Sequence, residues 1–415
     1  MRINSPKALL TATLLLIAFA AFPFMLGAAQ EQAAQASSAG QVPLAVRVWD
    51  GKKFVPDLKL EDFEVTVNGQ ARPVSSLFLV DKSSVTRREG TANVLPDTSR
   101  RFYFLFQLFE YNPKIGDGIR DFFKEGFLPG DSLSIQTPMR NYVLGATALM
   151  SKPRDALAKE MIEIVRRDIT EGGMAYKSIL RELRRIVMSI GSANPMAQTN
   201  VEEGGSSMEQ LGLENLLMQY REPLARMDAL RRIDEDKIVQ FAQSLRSVPG
   251  QKIVFFVYQR EFNPELSPTV LNALIDSNQD NQNVLSGIHE LFQTYHRNIS
   301  LDPERIGHSF AASGVDFNLL FINKEPDRMA GITMREQSED VFKIFAKTAQ
   351  MTGGIVDNTQ DPGIAIRDAL KASERYYLLY FAAPAGAAAG SFQGLTVTIK
   401  GKEYKVLSRQ GYQVD

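Results

Sequence analysis

A chain of 415 residues has room for two or three domains with their own cores, and 44% hydrophobic against 23% charged residues is a globular balance rather than a disordered one. A formal net charge of −1 supplies no global field toward nucleic acid or an anionic membrane, so nucleic-acid binding is not the default. The absence of cysteine excludes thiolate metal sites, a cysteine nucleophile, disulfides and a lipid-modified N-terminal cysteine.

At the N-terminus, Arg2 and Lys7 precede an uncharged stretch from Ala8 to Ala29, with the small residues Gly27-Ala28-Ala29 before Gln30. A basic end, an apolar run and a small-residue site in that order mark export. Residues 1–29 read as a cleaved signal peptide or, because the run is long enough to span a bilayer, as an uncleaved anchor. The expected location is periplasmic or secreted. Residues 30–40 are rich in Ala, Gln and Ser and read as a flexible tether.

Residues 41–95 read as a β-rich module with a linker. Val46, Val48, Val65 and Val67 lie in alternating runs, with turns at Asp50-Gly51 and Asn68-Gly69, and the polar stretch Asp81 to Ser99 reads as linker. From residue 96 the pattern changes. Phe102-Tyr103-Phe104-Leu105-Phe106 is a continuous apolar run, expected of a strand buried on both faces. A helix is predicted around Gly118 to Phe127, strands over Ser132 to Thr137 and Tyr142 to Leu144, and amphipathic helices over Pro153 to Arg167 and Ser178 to Ile190. Gly191 to Ser207 reads as a mobile loop and Glu209 to Val248 as mostly helical. Ile253 to Tyr258 is the most obvious strand in the chain. Leu266 to Asn298 reads as helical, Phe317 to Ile322 as a strand, Asp340 to Met351 and Asp361 to Ser373 as helices, and Tyr376 to Phe381 as a strand closing the α/β domain at 383. Residues 384–415 read as further β strands.

Alternating buried strands and helices predict an α/β fold with a doubly wound, mostly parallel sheet. The β-rich N- and C-terminal pieces are expected to pair as a small β-sandwich-like module, with the α/β domain inserted between them.

Several segments in order resemble the bacterial exported von Willebrand factor A-related (VWFA-related) domain family. They are Val46-Arg47-Val48-Trp49-Asp50-Gly51-Lys52, Leu60-Glu61-Asp62-Phe63-Glu64-Val65 with Asn68-Gly69, and the paired turns Leu128-Pro129-Gly130-Asp131 and Val248-Pro249-Gly250-Gln251-Lys252. Ala349 to Gly354, Tyr376-Tyr377-Leu378-Leu379-Tyr380 and Ser408-Arg409-Gln410-Gly411-Tyr412 complete the set. The resemblance spans about Val42 to Tyr412. It implies a metal-ion-dependent adhesion site at the carboxyl ends of the strands, where open parallel sheets bind ligands.

The residues present depart from that site. Where Asp-x-Ser-x-Ser should offer hard oxygen ligands, the chain has Gln107-Leu108-Phe109-Glu110-Tyr111. Met174 follows Gly172-Gly173, where a threonine is expected, and Gln259-Arg260-Glu261 replaces an expected aspartate, Arg260 bringing charge that opposes a cation. The metal site is therefore read as degenerate, with no metal and no cofactor. The alternative keeps an ion on Glu110 and Glu261. Phe109 and Tyr111 are read either as a dry protein-binding anchor or as plugs in a vacated cavity.

Other candidates are weaker. Asp276-Ser277-Asn278-Gln279-Asp280-Asn281 has calcium-loop spacing but lacks the sixth-position glycine and the bidentate glutamate, since Gly287 stands there. His289 and His296 lie seven residues apart, against the three or four usual for a metal pair on a helix. Arg181, Arg184 and Arg185, like Arg231 and Arg232, read as solvated helix faces. No nucleophile elbow, zinc-protease or phosphate-loop motif occurs, so no enzyme is expected. The reading is a binding module for another protein of the cell envelope or exterior, contacted through Gln107, Phe109, Glu110, Tyr111, Gly172, Gly173, Arg260 and Glu261. The alternatives are a divalent-cation-dependent adhesion protein and, less favoured, an envelope hydrolase.

Overall fold

The computed structural model describes residues 41–91, 95–145, 151–192, 206–297 and 299–414. The signal or anchor segment and the tether lie outside the described residues, as does most of the 191–207 loop.

The N-terminal part supplies six strands: β1 (Gln41–Asp50), β2 (Lys53–Phe54), β3 (Phe63–Val67), β4 (Gln70–Arg72), β5 (Val74–Asp81) and β6 (Ser84–Gly90). The α/β part then runs through β7 (Arg100–Gln107), α1 (Pro113–Asp121) with a π-helical turn at Phe122–Gly126, β8 (Ser132–Gln136), β9 (Asn141–Leu144), α2 (Arg154–Gly172) and α3 (Met174–Ser192). Next come α4 (Ser206–Leu230), α5 (Glu235–Ser244), β10 (Gln251–Gln259), β11 (Phe262–Leu266), α6 (Pro268–Ser277) and α7 (Gln282–Ile288), which passes into a π-helical turn, His289–Thr294. It ends with α8 (Pro303–Ala312), β12 (Val315–Ile322), β13 (Ile332–Glu336), α9 (Glu339–Thr352), β14 (Val356–Thr359) and α10 (Pro362–Glu374). The last strands are β15 (Arg375–Ala382), β16 (Phe392–Ile399), β17 (Lys405–Ser408) and β18 (Gly411–Gln413).

The chain is α/β. Its central six-stranded sheet has the order β14-β12-β10-β7-β8-β9, with only β9 antiparallel. Both faces are covered, as a mostly parallel sheet requires. Phe102, Phe104, Phe106 and Phe255 pack with α1, α2 and α10, while Tyr103, Val254, Phe256 and Phe317 pack with α5, α8 and α9. The two Pro-Gly turns set the starts of neighbouring elements. Asp131 accepts the Leu128 N–H at 2.7 Å and grips the buried Arg100 guanidinium at 2.5 and 3.1 Å, fastening the turn to the first residue of β7. Gly250 has φ +79° and lies so close to β7 that a Cβ there would meet the Ser99 carbonyl oxygen at 2.3 Å.

The N- and C-terminal strands pair with one another. β1 lies between β15 and β17, and β16 lies between β3 and β18, giving sheets β17-β1-β15-β5-β6 and β18-β16-β3-β4. Leu44, Val46, Val65, Tyr377, Val397 and Ile399 form the shared core between them. Two expectations are corrected. Tyr376 to Phe381, read as the last strand of the α/β domain, pairs antiparallel with β1 and β5 instead. Part of the 81–99 linker is β6, an edge strand paired with β5. At the junction, Arg47 donates to the Gly353 carbonyl at 2.9 Å and forms an ion pair with Asp316. Gly353, at φ +73°, lets that turn approach the backbone of Ser408, which a Cβ would meet at 2.6 to 2.7 Å.

Candidate functional site

The strand order reverses between β7 and β10, and the carboxyl ends of these strands are the expected ligand position in such a sheet. Gln107 closes β7 and is half-buried. Beyond it, Phe109 is 7% exposed and stacks on Tyr176 of α3. Phe109 fits the role of a packing residue and is not an exposed anchor: burial against Tyr176 removes it from any contact surface in this conformation. Tyr111 is half-buried, packs against the core under α1 and α2, and burial raises its hydroxyl pKa.

Glu110 accepts an ion pair from Lys324 Nζ at 2.6 Å, and its backbone N–H donates to Gln259 Oε1 at 3.3 Å. Lys324 sits just beyond β12, so the loops after β7, β10 and β12 meet here. Arg260 turns toward β13, with Nε 3.1 Å from Glu336 Oε1 and its guanidinium 5.9 Å from the Phe321 ring centre. A narrow crevice of about 10 Å³, room for a single water, lies among Phe109, Glu110, Arg184, Arg260, Lys324 and Asp327. Arg184 is joined to Asp327 by an ion pair, so this member of the basic cluster has a specific partner.

Gly172 and Gly173 belong to a tight helix junction, since α2 ends at Gly172 and α3 begins at Met174. A Cβ on Gly173 would fall 1.9 Å from the Phe109 carbonyl oxygen, and one on Gly172 would meet the Pro138 ring at 2.8 Å. Gly173 allows the helix junction to press against the loop after β7, and Gly172 lets it meet the turn between β8 and β9. Their requirement is steric.

Glu261 departs furthest from the expected contact surface. It is 2% exposed and lies between Arg231 Nε and Arg297 Nη1, each 3.1 Å from its Oε2, while Tyr258 donates to Oε1 at 2.7 Å. Burial, with Glu261 alongside, pushes the Tyr258 hydroxyl well above its usual range and keeps it a donor. Arg231, read from sequence as part of a solvated face, is 2% exposed. Glu110 and Glu261 thus each have a cationic partner of their own, and no group of three or more potential metal-ligating side chains is found among the described residues.

Sequence reasoning missed Tyr176, Lys324 and Arg297, and read Arg231 as solvated. Each is distant in the chain from its partner and lies in an unremarkable helix or loop, so spacing carried no signal. Asn281 of the calcium-like run caps α7 by accepting the Asn283 and Val284 N–H groups. The histidines have separate neighbours: Gln293 for His289, Arg335 for His296 and Glu304 for His308.

No family model matches the chain, and no curated protein matches it. Among solved structures, the human COPII-coat protein Sec24c is similar at 11% identity and a TM-score of 0.26. The likeness covers 83% of this chain and 47% of that one, so the chain spans about half the length of the neighbour. Among the described residues, no helix is long and apolar enough to cross a membrane.

Proposed function

We propose that the chain is an exported protein-interaction module of the VWFA-related type, whose recognition face is the crevice at the carboxyl ends of β7, β10 and β12 and works without a metal. The observation that carries this reading is the Glu110–Lys324 ion pair across the loops after β7 and β12. A lysine ammonium occupies the side of the only carboxylate in the degenerate Gln107 to Tyr111 segment, the charge that a divalent cation would otherwise supply. The strand order, numbered within the sheet, is 3-2-1-4-5-6 with strand 3 antiparallel, the doubly wound arrangement that this reading requires. The contact residues on this reading are Glu110, Tyr111, Arg260 and Lys324, with Arg184 and Asp327 at the rim. The partner is another protein of the envelope or exterior, in keeping with the export signal read at the N-terminus.

The test is affinity capture from envelope extract with the full chain, run in parallel with Mg²⁺ and with EDTA, and repeated with Arg260→Glu. Equal capture in both buffers, reduced at least tenfold by Arg260→Glu, is the expected result. Capture lost in EDTA would overturn metal independence and favour a divalent-cation-dependent protein. Capture indifferent to Arg260→Glu would remove this face.

A further inference from the structure

The opposite end of the central sheet, where β10 and β12 begin, holds a second and larger cleft. It lies between the α/β part and the β sandwich and has a volume of about 1140 Å³. Lys252, the second residue of β10, lines it. This side chain is only 8% exposed, yet its ammonium has a single hydrogen bond, to the Val248 carbonyl at 2.9 Å, and makes no ion pair among the described residues. An ammonium has three donors and is costly to bury without an anion.

Its charged neighbours increase that cost. A Cβ placed on Gly314 would lie 3.8 Å from Lys252 Nζ and 3.5 Å from Arg409 Nη1, so two cations converge on one glycine. Arg101 of β7 adds a third positive charge. Burial, then Arg409 and, less strongly, Arg101 push the lysine down to about 8, against an opposing pull from Asp316. Asp316 is engaged with Arg47 and, at 3.3 Å, with Gln251 Nε2. Asp97 also lines the cleft and is exposed. The cleft is also lined by Val42, Tyr376, Leu378 and Tyr380.

We propose that this cleft is an oxyanion-binding site, in which Lys252 contacts a carboxylate or phosphate group directly and Arg409 holds it by charge. An anion there supplies the missing acceptor for Lys252 and relieves the repulsion among the three cations. The apolar and aromatic lining leaves room for an organic body attached to the anionic group. The site is independent of the proposed recognition face, which lies at the other end of the strands.

The test is calorimetric titration of the full chain with inorganic phosphate and, separately, with citrate, at an ionic strength held constant with NaCl. Saturable binding of at least one anion is expected, weakened at least tenfold by Lys252→Met. Arg375→Gln, which removes a cation paired with Asp81 on the sandwich, should leave it unchanged. Binding of phosphate alone identifies a phosphate-bearing ligand, and binding of citrate alone a carboxylate. A second measurement needs no variant. At pH 8 citrate binding should draw a proton onto Lys252, seen as a heat that depends on the ionisation enthalpy of the buffer. No saturable heat with either anion, equal binding by Lys252→Met, or citrate binding without proton uptake overturns the proposal.

Discussion

Phe109 stacks on Tyr176 with ring centroids 4.3 Å apart and planes inclined by 13°. The first residue that stands where a ligand serine is expected therefore bridges the β7 loop to α3. Phe109→Ala removes a buried aromatic whose surroundings are fixed by the Gly173 contact with its carbonyl, and should cost about 3–5 kcal/mol. Urea denaturation checks this. A loss below about 1 kcal/mol would mean that the ring is dispensable and the loop free to present it elsewhere.

Glu261 sits between two arginines in a site that water does not reach. Glu261→Gln leaves the buried Arg231 guanidinium without a counter-charge, while Arg297 keeps Asp340 at 3.2 Å, and should destabilise by about 3–5 kcal/mol. The double variant Glu261→Gln with Arg231→Met removes one charge of each sign and should recover part of that loss. Denaturation midpoints of the single and double variants decide the matter. Additive losses would show that Arg231 and Glu261 do not act as a pair.

These two sites show which parts of the structure were legible in the amino-acid sequence. β7, β10 and β12 announce themselves as short apolar runs because both their faces are buried, and the turns before β8 and β10 carry Gly130 and Gly250 at φ +93° and +79°. β6 was missed because Ser84–Gly90 is an edge strand whose polar residues face water on one side. The ribbon of β11 and β13 was missed because its strands are some seventy residues apart and neither has a hydrophobic period: Leu266 lies opposite Ile332 and Phe262 opposite Glu336. β15 looks like a parallel core strand since half of its side chains are buried in a continuous apolar run, and only its partners β1 and β5 reveal an antiparallel sheet. At the candidate site, that Phe109 and Tyr111 rather than hydroxyl side chains follow β7 was legible. The burial of Phe109 and Glu261 was not, because it depends on Tyr176, Arg231 and Arg297, which only the fold brings near.

The Glu110–Lys324 pair gives a direct test of metal independence. Both side chains are about 30% exposed, so the pair should contribute no more than about 1 kcal/mol to stability. Lys324→Ala should thus fold normally while freeing the Glu110 carboxylate. Calorimetry of this variant with Mg²⁺, Mn²⁺ and Ca²⁺ should give no saturable heat, because no group of three or more acidic or histidine side chains is placed to share a hard cation there among the described residues. Saturable binding in the variant but not in the native chain would show that a cation site persists beneath the lysine.

Glu265 of β11 provides a pH signature. Its side chain is about 10% exposed, and burial, partly offset by Arg335 at 3.5 Å, raises its pKa from the ordinary 4.5 to about 7. Between these values the unfolded chain has released a proton that the folded chain retains. The stability contributed by this group is therefore fully present below pH 4.5 and falls as pH rises to about 7, then stays level. The loss is on the order of 3 kcal/mol across that window. Glu265→Gln, which keeps the shape and cannot ionise, should abolish this component of the slope. Urea denaturation of both proteins at pH 5 and pH 7.5 measures it. The native chain should lose stability relative to the variant as pH rises, because the deprotonated carboxylate must be held in a site that only the adjacent Arg335 makes tolerable. An unchanged difference between the two pH values would place Glu265 in a more solvated setting than its burial implies.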